Sequence, residues 1–374
     1  MAGNHRSNQI YFPPRESNWE RFDAIPPRDF QSAIDHALKN ESLLDRNIQR
    51  ALENRAFAEP PPWGDIIGKT RSREDPHGLI ILKGKVVAKW GDTQRPDITF
   101  SVAKSFLSIC AGLLQDDGLI PDFDAPISDL VNDGGFDSAH NKSISWRQMM
   151  QMTSEWQGSM WGKPDQVDHN RDLSVAPKDN AEKGNERALK SPGTHWEYND
   201  VRVNRLALAL LRVAERPLPD LLRERIMDPI GASKDWEWHG YKNSWVEINN
   251  QNIQSVSGGS HWGGGMFISS EDQARVGYLI LNKGIWNGER LLSEHYVEQA
   301  FAPCNINRDY GLFWWLNNSQ KRLPSATKTG FCAVGFGSNM IWVEPDYNLV
   351  AVVRWIEGSA FDKFCGEVLK ILKT

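Results

Sequence analysis

Four polar residues interrupt the apolar first half of the stretch "FSVAKSFLSICAGLLQDDGLI" between Phe100 and Ile120: Ser101, Lys104, Ser105 and Ser108. Wound as a helix, these positions fall at i, i+3, i+4 and i+7 and form one narrow polar stripe. The remaining surface, from Val102 to Leu114, is apolar or small, so the spacing predicts a helix buried nearly all round. A lysine carried there is withdrawn from bulk water, and desolvation favours its neutral amine. A neutral amine one turn from a serine hydroxyl is a general base beside a nucleophile. Ser101, in the first turn, also sits where unpaired backbone N–H groups collect, which suits a developing oxyanion. These residue types support acyl transfer, with Ser101 attacking and Lys104 taking its proton.

A second Ser-x-x-Lys, Ser325 to Lys328, follows a proline, precedes a strand and has no apolar helix behind it. The first copy is therefore preferred as the nucleophile. "WEYND" sets Tyr198 between a Pro-Gly turn and a helix. Its hydroxyl both donates and accepts, so beside Lys104 it can carry a proton between nucleophile and leaving group; otherwise it is a packed aromatic. Asp200 reads either as a site acid or as a helix N-cap. In "KTGFCAVGFGSN" the glycines beside a strand permit close backbone approach to a ligand, or make a bulge or tight turn. Trp156, Trp161 and Trp262 line an acyl or amine pocket or else pack core and loops. Competing chemistry finds no G-x-S-x-G elbow, HExxH pair or P-loop. His195 and His261, among nine scattered histidines, read as structural or substrate-lining rather than as metal ligands. The reading uses no metal and no cofactor.

The elements that must position these residues follow from pattern. "RDFQSAIDHALKN" and "LLDRNIQRALENRA" have helical spacing, and "GLIILKGKVVAKWGD" is two apolar runs about Lys83-Gly84, a hairpin signature. The polar segment 155–190 reads as a long functional loop rather than packed structure. "VRVNRLALALLRVAE" and the stretch after Ser270 read as helices. "YGLFWWL", "SNMIWVEP" and "NLVAVVRW" read as strands, and "SAFDKFCGEVLKIL" as a closing amphipathic helix. The expected fold class is α+β. An N-terminal arm spans 1–27. Residues 28–100 and 300–374 make one lobe around a central antiparallel sheet, 101–299 a mostly helical lobe, and the active site lies between them.

The chain has 374 residues, 40% hydrophobic and 24% charged, with a net charge of −5. A single core stops growing at roughly 250–300 residues, which agrees with two lobes. No basic patch dominates, so nucleic acid is excluded as a partner. No apolar run is long enough to span a membrane. The first residues lack an apolar signal core, which with four separated cysteines (Cys110, Cys304, Cys332, Cys365) predicts a cytoplasmic protein with reduced, buried thiols. Oligomeric state has no signature.

Taken in order, Ser101-x-x-Lys104, "YND" about a hundred residues on, "GGGMFISSEDQARVG", and a glycine-bearing strand before "WVEPDYNLVAVV" resemble the serine β-lactamase-related family. That family includes class C β-lactamases, DD-peptidases, family VIII carboxylesterases and 6-aminohexanoate-dimer hydrolases. The resemblance runs over roughly residues 75–360 and implies a β-lactamase/DD-peptidase-like fold. It implies Ser101 as the acylated nucleophile, Lys104 as its base and Tyr198 as partner in proton transfer, acting on a small ester or amide. Acyl transfer to another acceptor, β-lactam cleavage and a non-catalytic binding role remain open on the same scaffold. The family's tyrosine motif usually ends in asparagine where this chain has Asp200, an acid that favours a charged Lys104. Lys328-Thr329-Gly330 matches the lactamase third motif literally. Counting back from Pro345 favours Ala333-Val334-Gly335 instead, with the Phe336 N–H joining Ser101 N–H in the oxyanion hole.

Overall fold

The computed structural model describes residues 10–14, 19, 30–173, 180–259 and 261–373. Its centre is a six-stranded antiparallel sheet in the order Trp315–Leu316, Phe331–Gly335, Asn339–Glu344, Leu349–Arg354, His77–Leu82, Lys85–Trp90. The first hairpin thus docks on the last strand, with Leu82 opposite Leu349 and His77 opposite Arg354. The three middle strands are buried at every position, because both faces are covered. Side chains alternate between two cores. Ile80, Leu82, Trp342, Ala351 and Val353 pack under the helices Gln31–Lys39 and Phe361–Leu372. Leu79, Ile81, Ile341, Val343, Val350 and Val352 face the helix Ser270–Leu281 and the larger core beyond.

The helices Ala103–Asp116 and Asp200–Ala214 form the middle of that larger core, and the former is buried from Ala103 to Leu114, as its apolar surface predicts. The segment between residues 101 and 299 also carries strands that its sequence does not advertise. Glu237–Ile248 and Gln251–Val256 form a hairpin, and with Gly265–Ile268 and Asp97–Ile98 they make a second, four-stranded sheet. A bulge between Gly240 and Trp245 breaks the alternation a reader relies on. The remaining signal is Asn249-Asn250, both left-handed, φ 51° and 61°, as a tight hairpin turn requires.

The two sheets are joined by Arg354, wholly buried, which donates to the carbonyls of Ile98 (2.5 Å) and Ile268 (3.3 Å) and to the Asn339 side chain. The segment 155–190 is not the unpacked loop its polarity implies. Glu155, Trp156, Asp165, Asp168, His169 and Lys183 are all buried, the charged ones paired with each other or with nearby arginines. Residues 174–179 lie outside the described residues, as does most of the arm expected over 1–27. Within its described part, Phe12 and Trp19 set their rings 5.5 and 6.4 Å from Tyr278. All four cysteines are free and buried. Among the described residues no helix is long and apolar enough to cross a membrane.

Candidate active site

Ser101 lies in a 3-10 turn, Phe100–Val102, that runs directly into the helix Ala103–Asp116. Phe100 is held at φ 51°, a left-handed conformation costly for a bulky residue. Its ring is locked among Phe57, Phe336 and Trp355, with centroids 5.8, 5.6 and 6.4 Å away. Beside this turn Lys104 Nζ donates to Ser101 Oγ at 2.7 Å. The rest of the polar stripe anchors the helix. Ser105 donates to the Phe313 carbonyl at 2.7 Å, and Ser108 shares a hydrogen bond with the Tyr296 hydroxyl at 2.9 Å.

Lys104 is 1% exposed, as a helix buried all round requires, but it is not the lone amine that reading implies. Asp200, 2% exposed, lies in direct ionic contact with it. Asp200 is not the N-cap of its helix. Asn199 fills that place, accepting from the N–H groups of Val201 and Arg202 at 3.1 and 3.2 Å. Asp200 instead opens the helix with its side chain turned to the lysine, and Gly259 makes room for the pair. A Cβ on that glycine would strike the Asp200 carboxylate and stand 2.8 Å from Lys104 Nζ.

Behind Asp200 is a closed ionic cluster. Arg171 donates to Asp200 Oδ2 at 2.8 Å, and His261 Nδ1 lies 3.2 Å from the same oxygen. Asp168 accepts the Asp200 N–H at 2.7 Å and lies 3.4 Å from Lys183. Glu59 closes the ring against His261. Burial alone would raise the Asp200 carboxyl, but Lys104, Arg171 and His261 outweigh it and hold it well below the usual carboxylate range. Glu59, likewise opposed by burial, is brought down to about 2, chiefly by His261. Burial pushes the His261 imidazole down, yet Glu59 and Asp168 prevail and keep it above its ordinary value. Asp168, Asp200 and His261 bring one ligand atom each within 4.8 Å of one another, a grouping that could hold a cation. Lys104, Arg171 and Lys183 press on the same carboxylates, so fixed side-chain cations already neutralise the charge an ion would meet.

Ser101 opens into a cleft of about 390 Å³. Tyr198 lines it, its ring centroid 4.9 Å from Lys104 Nζ and 5.5 Å from the Arg171 guanidinium. Gly335, at the end of Phe331–Gly335, abuts the nucleophile turn. A Cβ there would collide with the Thr99 carbonyl oxygen and sit 3.3 Å from Ser101 N. The next residue, Phe336, lines the cleft with its ring 4.3 Å from that of Phe57. Ser101, Lys104, Tyr198, Asp200, Gly335 and Phe336 are thus brought together. Lys328 is exposed and not part of the cleft, and Ser325 is tied to Asp362 through its N–H (2.8 Å) and hydroxyl (2.9 Å).

The three tryptophans expected at a substrate pocket are elsewhere. Trp156 is buried, its indole donating to Gly135 O at 2.7 Å. Trp262 donates to Trp63 O at 2.7 Å and stacks on His261 at 4.4 Å, behind the ionic cluster. Trp161, half-buried in a turn with φ 54°, offers its carbonyl to Asn243. Each answers to packing or a structural hydrogen bond, and none lines the cleft; nor does His195. Besides Tyr198 and Phe336, the lining aromatics are Phe57, Trp315 and Phe361, with Arg171 and Arg322 as its cations. Apart from Phe361 these come from loops and a two-residue strand, where no periodicity marks them. "FWW" before the last strands was the one local signal for Trp315.

The Beta-lactamase family profile matches residues 79–355. Solved structures of similar fold include a candidate 6-aminohexanoate-dimer hydrolase from Bacillus anthracis, 17% identical over 79% of each chain with a TM-score of 0.57. A penicillin-binding protein homologue from Caulobacter crescentus is 14% identical, covering 92% of this chain and 98% of its own, with a TM-score of 0.57. A family VIII carboxylesterase is also 14% identical, over 91% of this chain and 97% of its own, with a TM-score of 0.55. A search of curated proteins finds no match. With the profile spanning most of its length, from the first strand to the last, the chain belongs to the β-lactamase family.

Proposed function

We propose that the protein is a serine hydrolase that cleaves a small ester or amide through an acyl-enzyme on Ser101. The observation that carries this is the 2.7 Å hydrogen bond between Lys104 Nζ and Ser101 Oγ, with the amine buried and the hydroxyl open to the cleft. Ser101 Oγ bonds to the acyl carbon as its proton passes to Lys104, and Asp200 stabilises the ammonium that forms. The bond to the leaving alcohol or amine breaks, and the leaving group takes a proton from Lys104 with Tyr198 as relay. Water then attacks the acyl carbon by the same route and frees Ser101. The Ser101 and Phe336 N–H groups are the oxyanion donors in this reading. Ala333-Val334-Gly335 serves as the third motif, since Gly335 rather than Lys328 borders the nucleophile turn. Ester or amide hydrolysis is therefore preferred to β-lactam cleavage.

The test is intact-mass spectrometry and turnover with p-nitrophenyl esters. The wild-type protein gains one acyl group on a slowly released ester, and Ser101→Ala gains none and loses turnover. Lys104→Ala loses at least the roughly 10²–10⁴-fold ascribed to a general base. Retained turnover in Ser101→Ala overturns the assignment. Product formed on an added alcohol or amine instead of water would make the enzyme an acyltransferase, and rapid nitrocefin turnover a β-lactamase.

A further inference from the structure

Part of the cleft wall comes from residues that precede the family-matched stretch. Ser42, Leu43, Leu44 and Phe57 line the same cavity as Ser101, whereas the family profile begins at residue 79. Their backbone is pinned to the body of the fold. The Ser42 N–H donates to Trp355 O at 2.8 Å, and the Leu43 N–H to Glu357 Oε2 at 3.1 Å. The buried Arg73 guanidinium donates to the carbonyls of Ser42 (3.0 Å) and Leu44 (2.6 Å). Hydrogen bonds on either side of Leu43 thus fix it at the cleft, with the residue 90% exposed.

Leu43 does not stand alone. Leu44 and Phe336 pack on the cluster that holds Phe57, Phe100 and Trp355. A Cβ on Gly337 would stand 3.2 Å from Leu44 Cδ2, and the rings of Phe57 and Phe336 are 4.3 Å apart. An apolar surface therefore runs from Phe336 past Leu44 to Leu43 at the rim. A single exposed leucine is ordinary. One that extends an apolar wall inside a cleft of about 390 Å³ is surface for a ligand to cover. The proposed reaction assigns the half of the substrate that does so. The carbonyl oxygen points at the Ser101 and Phe336 N–H groups, and the leaving group meets Tyr198, which relays its proton. The acyl substituent is left to extend away from Tyr198, along Phe336 toward Leu44 and Leu43.

We propose that Leu43 and Leu44 seat the far end of an apolar acyl chain, so that the substrate is an ester or amide of an alkanoic acid longer than acetic acid. This rests on the acyl-enzyme reading above for which half faces the wall, and on the wall alone for the apolar character.

Two series of esters test it. p-Nitrophenyl acetate, butyrate, hexanoate and octanoate lengthen the acyl half, and methyl, butyl and hexyl acetate lengthen the leaving half. Wild-type kcat/KM is expected to rise by about tenfold or more from p-nitrophenyl acetate to hexanoate, well inside the roughly fourfold per methylene that full burial gives. The leaving-half series stays flat. Leu43→Asp sets a charge on the wall at a position exposed enough to leave folding intact, and lowers the hexanoate-to-acetate ratio about threefold or more, chiefly through KM. Leu43→Met, apolar and of similar size, keeps the ratio. Titration of hexanamide into Ser101→Ala, followed by NMR with and without Leu43→Asp, reads the wall without turnover. Rates that ignore acyl length, a length preference confined to the leaving half, or a ratio that survives Leu43→Asp overturn the acyl wall and leave the hydrolase intact. No turnover of any ester, with hexanamide binding weakened by Leu43→Asp, overturns the hydrolase and keeps the apolar site.

Discussion

Asp200 sets the electrostatics around Lys104, and its replacement gives the sharpest single-residue prediction. Its carboxylate stands in contact with Lys104, the group that in the proposed reaction takes the proton of Ser101. In Asp200→Asn that anion is gone, while Arg171 and His261 remain and add positive potential. The acidic limb of the kcat/KM profile is expected to move to lower pH. An unmoved limb would remove Asp200 from the proton economy. The variant also leaves buried cations short of a partner, for about 3–5 kcal/mol of lost stability. Ser101 and Lys104 were legible from sequence because three residues of spacing in an apolar helix says which face both occupy. Asp200 was visible as an acid after Tyr198, but its choice of lysine over helix cap depends on Asn199 taking the cap first. Arg171 and Arg322 reach the cleft from loops, where spacing encodes no direction. Trp156, Trp161 and Trp262 misled because an aromatic in a polar stretch looks the same whether it awaits a ligand or a neighbouring carbonyl. Trp156→Phe accordingly lowers the melting temperature through the lost bond to Gly135 and leaves KM for a p-nitrophenyl ester unchanged.

At the scale of elements, the site depends on a strand pressed against a turn. Phe331–Gly335 approaches Thr99 so closely that only a residue without a Cβ fits at its end. Gly335→Ala must push strand and turn apart and shift the Phe336 N–H, which the proposed reaction uses as an oxyanion donor. A displacement near 1 Å can cost about 10²-fold in rate, so kcat is expected to fall on that order while circular dichroism remains native. A variant as active as wild type would separate this strand from catalysis. The strands themselves were legible wherever both faces are buried, since His77–Leu82 and Leu349–Arg354 are nearly unbroken apolar runs. The hairpin Glu237–Ile248 with Gln251–Val256 was not, because one bulge and several exposed polar positions erase its period. Segment 155–190 failed for the opposite reason. Many of its charges look solvated in sequence and are buried in the fold, some with partners far along the chain, as Glu155 is with Arg187 and Arg202.

For the whole molecule, those buried charges set a window of stability. Glu59 and Glu155 are both brought from 4.5 to about 2, against burial, by His261 and by Arg187 with Arg202 respectively. The folded state then binds fewer protons than the unfolded one, so their contribution is complete above about pH 4.5 and disappears as pH falls through 2. His261 is shifted the other way. Its contribution is complete below its ordinary value and is lost as pH rises through its folded-state value. Calorimetric melting temperatures are expected to peak between these limits, and Glu59→Gln to flatten the acid side; an unaltered acid side would show that the cluster does not govern unfolding. The central antiparallel sheet was legible from apolar strands near both ends, whereas Arg354, which ties the two sheets together, had no sequence signal beyond closing an apolar run. The central sheet seats the opening hairpin beside the final strand. During synthesis the serine and its lysine therefore leave the ribosome long before the wall that faces them. A nascent chain halted ahead of Phe331 carries the serine and the lysine without the strand that borders them, so hydrolysis at Ser101, as proposed above, must wait until the last strands have been made.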